Sequence, residues 1–63
     1  MKNRVRELRL EKGVTQQELA DVVEVSSRTI ISLEKQKYNP SVLLAHNIAK
    51  FFDFAIEDVF IFD

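Results

Sequence analysis

The chain has 63 residues, a formal net charge of −1, one histidine and no cysteine, so it forms a single domain that neither disulfides nor a cysteine-ligated zinc cluster stabilises. At this size folding removes only about 60% of the surface that the unfolded chain exposes, which favours tight helix packing or a second subunit as the source of stability. No apolar run reaches the roughly 20 residues of a membrane span, and residues 1–9 lack the apolar segment of a signal peptide, so we expect a cytoplasmic protein without a membrane partner.

The first predicted helix covers residues 2–12 and ends at Gly13, the single glycine of the chain, because glycine commonly follows the last turn of a helix. Val5 and Leu8 have the spacing of inward-facing residues on this helix. Four charged residues are expected on its outer face: Arg4, Arg6, Glu7 and Glu11.

The second and third predicted helices cover residues 16–23 and 27–35. Thr15 followed by Glu18 is a capping-box pattern, in which the threonine hydroxyl accepts one backbone N–H and the glutamate accepts another. Ser26 is the N-cap expected for the third helix. Both helix starts are therefore marked in the sequence.

The link between these two helices is very short. Because only residues 24–26 join them, the helices must cross at a steep angle, and a small residue such as Ala20 is needed where they touch. This is the geometry of a helix-turn-helix. The apolar residues expected to lock the two helices together are Leu19, Ala20, Val23, Val25, Ile30 and Leu33.

The fourth predicted helix starts at Pro40 and Ser41 and ends at Asp53. Its buried stripe consists of apolar residues at four-residue spacing, with small and aromatic residues beside them: Leu44, Ile48 and Phe52, flanked by Ala45, Ala49 and Phe51. A short fifth helix over residues 56–60 precedes the hydrophobic pair 61–62, and a strand is possible only for that C-terminal tail.

The outer face of the third helix consists of Ser27, Arg28, Ile31 and Ser32. Small hydroxylated side chains allow a helix to lie close to the bases of a DNA groove, and a few donors near its N-terminal end can read those bases. The composition of this face therefore predicts a helix that enters the major groove.

Charge is distributed in blocks that the net value conceals. Residues 1–13 and 35–50 each carry a net charge of +3, whereas residues 14–34 carry −3 and residues 51–63 carry −4. Such a distribution orients a molecule on a polyanion better than the net charge suggests. Ordinary solvated helix faces would produce the same blocks, so charge alone does not choose between these interpretations.

The segment TQQELADVVEVSSRTIISLEKQKYNPS resembles the Cro and phage-repressor type of helix-turn-helix domain, the xenobiotic-response-element family, and especially its small stand-alone members such as the cytolysin repressor. The resemblance extends from RELRLEKG to IEDVF. It implies one all-α, five-helix, lambda-repressor-like domain over residues 1–63 that binds double-stranded DNA, regulates transcription and usually dimerises. Glu24 and Gln36 stand where the family commonly has glycine, and a left-handed non-glycine residue costs about 1 kcal/mol.

The resemblance places the third helix in the major groove. Arg28 is the candidate for direct base readout, because a guanidinium donates two hydrogen bonds to guanine O6 and N7; a phosphate contact or a solvated arginine is the alternative. Ser27 and Ser32 are short enough to reach a base edge or a phosphate through water. Ile31 either contacts a thymine methyl group or is an exposed apolar residue without a role.

Other candidate DNA contacts flank this helix. Gln16, at the start of the second helix, matches the phosphate-contacting glutamine of the family, and the free backbone N–H groups there favour an anion; a local cap contact is the alternative. In the family the loop after the third helix lies along the DNA backbone, and its candidates are Lys35, Lys37, Tyr38 and Asn39. The ring of Tyr38 is also expected to pack on the fourth helix.

Three further residues are assigned to structure or to the surface. Arg9 and Glu34 match an ion pair of the family that joins the end of helix one to the end of the recognition helix, and breaking such a pair when it is buried costs several kcal/mol. His46 is the only histidine in a chain without cysteine, so we expect a surface residue and neither a metal ligand nor a catalytic base. No cofactor and no small-molecule substrate are evident.

The leading hypothesis is a sequence-specific DNA-binding repressor that occupies an inverted repeat as a homodimer. Val59, Ile61 and Phe62 are the expected dimer contacts, while Phe54 and Phe60 are expected to close the core against helix four. The alternative is a DNA-binding antitoxin or a protein-interaction module that docks a partner through the same hydrophobic segment. An enzyme is disfavoured because catalysis needs a pocket and paired titratable groups.

Overall fold

The structure is a computed structural model, and it describes residues 1–61. Within these residues five helices follow one another: α1 (Val5–Lys12), α2 (Gln16–Val22), α3 (Ser27–Glu34), α4 (Val42–Phe52) and α5 (Ile56–Val59). In this part of the chain, extended pairing is limited to one isolated antiparallel bridge between Asn3 and Phe60. The predicted all-α, five-helix architecture is confirmed.

One hydrophobic core is built from buried side chains of all five helices and of the residues that follow α2 and α5. The predicted inward residues of α1, the helix-turn-helix pair and α4 are part of it, with Val25 and Phe51 packed against its edge. Its members are Val5, Leu8, Leu19, Ala20, Val23, Ile30, Leu33, Leu44, Ala45, Ile48, Ala49, Phe52, Val59 and Phe60.

The predicted starts of α2, α3 and α4 are confirmed by their capping hydrogen bonds. Thr15 Oγ1 accepts the backbone N–H of Glu18 at 3.0 Å, and Glu18 Oε1 accepts the backbone N–H of Thr15 at 2.8 Å. Ser26 Oγ accepts the N–H of Thr29, and Ser41 Oγ accepts that of Leu44. The hydrogen bonds with the Thr15 backbone and hydroxyl lower the pKa of the Glu18 carboxyl, because they stabilise its ionised form.

Helices α1 to α4 all end in the same backbone motif. At the end of α3, Gln36 N donates to Leu33 O at 3.0 Å and Lys37 N donates to Ser32 O at 3.1 Å, which is the hydrogen-bond pattern of a Schellman motif. The motif needs one left-handed residue after each helix, and the four residues have φ between 60° and 74°: Gly13, Glu24, Gln36 and Asp53. Glu24 and Gln36 thus adopt the conformation of the glycines that they replace.

The predicted first helix begins too early. Residues 2–4 are not helical; they pair with residues 59–61, where Arg4 N donates to Val59 O at 2.8 Å and Ile61 N donates to Lys2 O at 3.0 Å. Helix α1 starts at Val5 because Asn3 Oδ1 accepts the Val5 N–H at 3.1 Å. This pairing also shortens the predicted fifth helix, since Phe60 is drawn into an extended conformation beside Asn3.

Within residues 1–61, none of the five helices is long and apolar enough to cross a membrane.

Candidate nucleic-acid interface

The candidate interface is built on the packed pair α2 and α3, which contact each other more extensively than any other two helices. Ala20 and Ile30 are fully buried in this pair. The turn between the helices is closed by Val25 N, which donates to Ala20 O at 3.0 Å. The small side chain of Ala20 therefore lies where the sequence requires it, inside the helix-turn-helix.

Helix α3 has one face in the core and one face turned outward. Ile30 and Leu33 are fully buried, whereas Arg28 is exposed. The Arg28 side chain makes no hydrogen bond and no ion pair within residues 1–61, so its guanidinium has all its donors available. Ser27, Ile31 and Ser32 flank it in half-buried positions. The structure thus brings together the four residues predicted as a reading face.

The remaining two hydroxyl groups of this segment have structural partners. Ser26 Oγ lies 3.1 Å from Thr29 Oγ1 and accepts the Thr29 backbone N–H at 3.3 Å. Both side chains are therefore occupied in starting α3. Ser27 and Ser32 make no side-chain hydrogen bond within residues 1–61, so their hydroxyls are the ones free to meet a ligand.

A nearly buried ion pair fixes the C-terminal end of α3. Arg9 Nε donates to Glu34 Oε2 at 2.7 Å and Arg9 Nη2 donates to Glu34 Oε1 at 3.2 Å; the two side chains are 10% and 4% exposed. Arg9 Nη1 also donates to Val14 O at 2.9 Å. The ion pair assigned by the family resemblance is present, and it ties α1 and the following turn to α3.

Gln16 is connected to the same carboxylate. Its Nε2 donates to Glu34 Oε1 at 3.1 Å, a contact between residues 18 positions apart that the sequence did not predict. An amide nitrogen carries two hydrogens, so one can point to Glu34 while the other is offered outward. The buried carboxylate therefore orients the amide of the residue predicted to contact a phosphate.

The loop after α3 is a polar, largely exposed surface. Lys35, Lys37 and Asn39 are exposed, and the left-handed Gln36 lies between the two lysines. Tyr38 is 39% exposed, so much of its ring is accessible in the free protein. The residues predicted to contact the DNA backbone therefore form one nearly continuous stretch directly after α3.

The C-terminal residues differ from the prediction in two places. Val59 is fully buried and is not available to a second copy, because the pairing of its backbone with Arg4 turns its side chain into the core. Phe54, expected in the core, is 43% exposed, whereas Phe60 is fully buried as predicted. Ile61 is 43% exposed, and Phe62 lies outside the described residues.

A second long-range contact that the sequence did not predict is made by Asn3. Its Nδ2 donates to the backbone carbonyl of Leu33, in the last turn of α3, at 2.9 Å. The residues are 30 positions apart, and no sequence pattern links them. An asparagine side chain commonly bonds to the backbone two residues further on. That tendency could have indicated the contact of Asn3 with the Val5 N–H, but not its contact with Leu33.

His46 is exposed on α4, as predicted. Among residues 1–61 no three histidine, cysteine, aspartate or glutamate side chains are grouped closely enough to hold a metal ion.

Comparison with known sequences identifies helix-turn-helix regulators as relatives of this chain. The sequence profile of the helix-turn-helix family matches residues 5–59. An HTH-type transcriptional regulator of Archaeoglobus fulgidus is 56% identical over 63 residues, which cover all of this chain and 90% of that protein. The regulator YgzD of Bacillus subtilis is 47% identical over 60 residues, covering 95% of this chain and 91% of its own.

Solved structures with the same fold are also regulators. The restriction-modification controller protein C.AhdI of Aeromonas hydrophila is similar with a TM-score of 0.82 and 28% identity, over 90% of this chain and 86% of that chain. The clp gene regulator ClgR of Corynebacterium glutamicum gives a TM-score of 0.79 and 30% identity, over 86% of this chain and 57% of that chain. The chain thus corresponds to a little over half of ClgR, and the fold implied by the resemblance is confirmed.

Proposed function

The chain belongs to the helix-turn-helix family of DNA-binding transcriptional regulators, and we propose that it is a repressor whose helix α3 reads a specific double-stranded operator. The observation that carries this proposal is the division of α3 into two faces. Ile30 and Leu33 hold the helix on the core, while Arg28 on the other side is exposed with all its hydrogen-bond donors available.

Base reading in this proposal depends on side chains of unequal length. Arg28 is long enough to donate two parallel hydrogen bonds to a guanine in the major groove. Ser27 and Ser32 are short, so they let the helix approach the base edges without holding its axis away. Ile31 lies on the same face and offers an apolar contact to a thymine methyl group.

Backbone contacts are proposed on both sides of α3. Gln16 offers its second amide hydrogen at the start of α2, and Lys35 and Lys37 offer positive charge in the exposed loop that follows α3. Tyr38 and Asn39 extend the same stretch. Contacts of this kind fix the register and orientation of a protein on the duplex, and they carry no sequence information of their own.

Repression needs no activity beyond this binding. A protein that occupies a promoter excludes other proteins from it, so affinity and operator position are sufficient. C.AhdI is a restriction-modification controller protein and ClgR is a clp gene regulator, and both roles support control by DNA occupancy as the function of this chain. Because the proposed target is double-stranded DNA, we propose that the protein acts in the cytoplasm.

We further propose that the active form is a homodimer joined near the C-terminal end. Ile61 follows Phe60, which lines an apolar groove of about 250 Å³ together with Met1, Pro40, Val42, Ala45 and Ile56. Val42, in the lining of this groove, is 82% exposed, and Ile61, next to Phe60 in the chain, is 43% exposed. A second copy that covers both side chains removes apolar surface from water, worth about 25 cal/mol per Å².

Selection of bound duplexes from a random pool, followed by sequencing, tests the proposal. We expect a pool that converges on an inverted repeat with half-sites one duplex turn, about 34 Å, apart. Convergence on a single asymmetric half-site would remove the homodimer from the proposal. A pool that stays random after repeated rounds would remove sequence-specific reading by α3.

A further inference from the structure

The side chain of Asn3 links the start of α1 to the end of α3. Its Oδ1 accepts the Val5 N–H at 3.1 Å, and its Nδ2 donates to Leu33 O at 2.9 Å in a partly buried position. Nδ2 also donates to Met1 O at 3.4 Å. The partner of Oδ1 is a donor and both partners of Nδ2 are acceptors, so the hydrogen bonds determine which end of the amide faces α1 and which faces α3.

The Leu33 carbonyl is also the one on which the turn after α3 depends. It accepts Gln36 N at 3.0 Å, next to the bond from Lys37 N to Ser32 O. A carbonyl oxygen has two lone pairs and can accept both Gln36 N and Asn3 Nδ2. Asn3 thus contributes a third hydrogen bond to a motif that is otherwise closed by two.

The turn at Gln36 has a particular need for such support. Gln36 has a φ of 63°, in the left-handed region that residues with a Cβ disfavour. Immediately after it come Lys37, Tyr38 and Asn39, the exposed residues proposed to lie along the DNA backbone. Any relaxation at Gln36 toward a right-handed conformation redirects these side chains.

Asn3 is itself held from both sides. Its backbone forms the bridge to Phe60, which is fully buried, and the hydrogen bonds Arg4 N to Val59 O and Ile61 N to Lys2 O bracket it. The amide therefore projects from a fixed backbone, independently of the Arg9–Glu34 ion pair one residue further along α3.

We propose that Asn3 is a positioning residue for DNA binding: by holding the Leu33 carbonyl it keeps Gln36 in its left-handed conformation and so fixes where Lys37 meets the DNA backbone. The inference rests on the proposed DNA-binding function. Asn3 does not touch DNA in this mechanism, and its effect is equal for every sequence because the contacts that it supports are to phosphates.

The first test uses the free protein and the variant Asn3→Ser. Serine keeps an acceptor for the Val5 N–H but is too short to reach Leu33. Amide hydrogen exchange of Lys37 should accelerate about 2- to 10-fold, the range of a single net hydrogen bond. Adding Gln36→Gly should restore slow exchange, since glycine adopts the left-handed conformation without strain. Unchanged Lys37 exchange in Asn3→Ser would overturn the proposal.

The second test measures affinity for the selected operator and for random duplexes, at a temperature where melting curves show each variant folded. Asn3→Ser should weaken both affinities by the same factor, about 2- to 10-fold, and reduce the salt slope by about one counterion. Asn3→Ser in the Gln36→Gly background should bind within about 2-fold of Gln36→Gly alone, because the proposed strain is gone.

Ser41→Ala is the matched control, because it removes a helix cap with a similar effect on stability but leaves Leu33 and Gln36 untouched. Its affinity should equal that of the parent. The positioning role is contradicted if Asn3→Ser lowers the affinity for the operator alone. It is also contradicted if Asn3→Ser lowers affinity by the same factor in the Gln36→Gly background as in the parent. If the parent binds no duplex, the proposed function fails, while Lys37 exchange still decides whether Asn3 holds the turn.

Discussion

The hydroxyl groups of α3 and of its N-cap fall into two sets with different surroundings. Ser26 and Thr29 bond to each other and to the helix start, so they serve the fold. Ser27 and Ser32 lie on the outer face on either side of Arg28 along the chain. Hydroxyl side chains thus cap the helix at two positions, and in the proposed function they allow close approach to DNA at the two positions on the outer face.

Arg28→Ala tests the reading role of the longest side chain on that face. Discrimination at one base pair of the operator should fall by about 1–3 kcal/mol, because a bidentate contact to guanine is lost, while affinity for random duplexes stays nearly unchanged. The measurement is a position-by-position substitution series of the operator.

Lys37→Ala is the control for Arg28→Ala. If Lys37 contacts a phosphate, the substitution should lower the affinity for all DNA sequences alike. It should also reduce the salt dependence of that affinity by about one counterion. If the substitution series for Arg28→Ala has the same profile as that of the parent, Arg28 does not read a base.

Arg9→Met tests the ion pair with Glu34. The free energy of unfolding should fall by about 3–5 kcal/mol, because the Glu34 side chain, only 4% exposed, is left in the interior without its cationic partner. Urea unfolding measures the loss, and replacing both partners, Arg9→Met with Glu34→Leu, should recover part of it. A variant with unchanged stability and no operator binding would instead assign Arg9 to DNA contact.

At the scale of elements, the helix ends are more uniform than the sequence suggests. Four helices end in Schellman motifs, yet glycine occupies the left-handed position in one of them, Gly13, while Glu24, Gln36 and Asp53 occupy the others. Because a left-handed residue with a Cβ costs about 1 kcal/mol, the three non-glycine positions are local sources of strain that the packed core and the hydrogen bonds of each motif hold in place.

Replacing one of these residues by glycine should stabilise the protein. Each of Glu24→Gly, Gln36→Gly and Asp53→Gly is expected to raise the free energy of unfolding by up to about 1 kcal/mol, because the left-handed strain is removed. The gain is smaller where the greater conformational entropy that glycine gives the unfolded chain offsets part of it. Thermal melting measures the change. Alanine at the same positions is the control, since it keeps the strain and should not stabilise.

Gly13→Ala provides the converse experiment. A Cβ at Gly13 meets nothing within 4 Å, and the φ of 74° makes any side chain unfavourable, so the expected loss of about 1 kcal/mol is conformational alone. A Gly13→Ala variant as stable as the parent would show that left-handed strain is not a significant term at these helix ends.

At the scale of the whole molecule, residues near the start of the chain pair with residues close to its C-terminal end. Residues 2–4 pair with residues 59–61; Val59 and Phe60 are buried, and Ile61 is at the surface next to Phe60, which lines the apolar groove. Ile61, in the surface proposed for dimerisation, and Asn3, which bonds to the last turn of α3, therefore lie in the same paired segments.

Ile61→Glu tests the dimer. The parent should sediment as a dimer at micromolar concentration and the variant as a monomer, because a carboxylate would be buried in the interface; the variant should also bind the full operator more weakly. Leu10→Glu is the control, since Leu10 is similarly exposed, at 54%, on α1. A parent that stays monomeric, with Ile61→Glu binding the operator equally well, would contradict the two-fold arrangement.

The sequence by itself determined the features that depend on neighbours within about four residues. The capping box of Thr15 and Glu18, the end of α1 at Gly13 and the outward position of Arg28 all follow from short-range hydrogen bonds and helical periodicity. The family resemblance added the pair Arg9–Glu34, which spacing alone does not reveal.

Only the tertiary structure decided the contacts between distant segments. The bond from Asn3 to Leu33, the bond from Gln16 to Glu34 and the burial of Val59 join residues 18 to 55 positions apart, and their energies depend on where whole helices lie. Periodicity could not assign Val59 because α5 has four residues, too few to define a face. Local patterns fix which residues a helix can present, and the packing of the complete chain fixes what they meet.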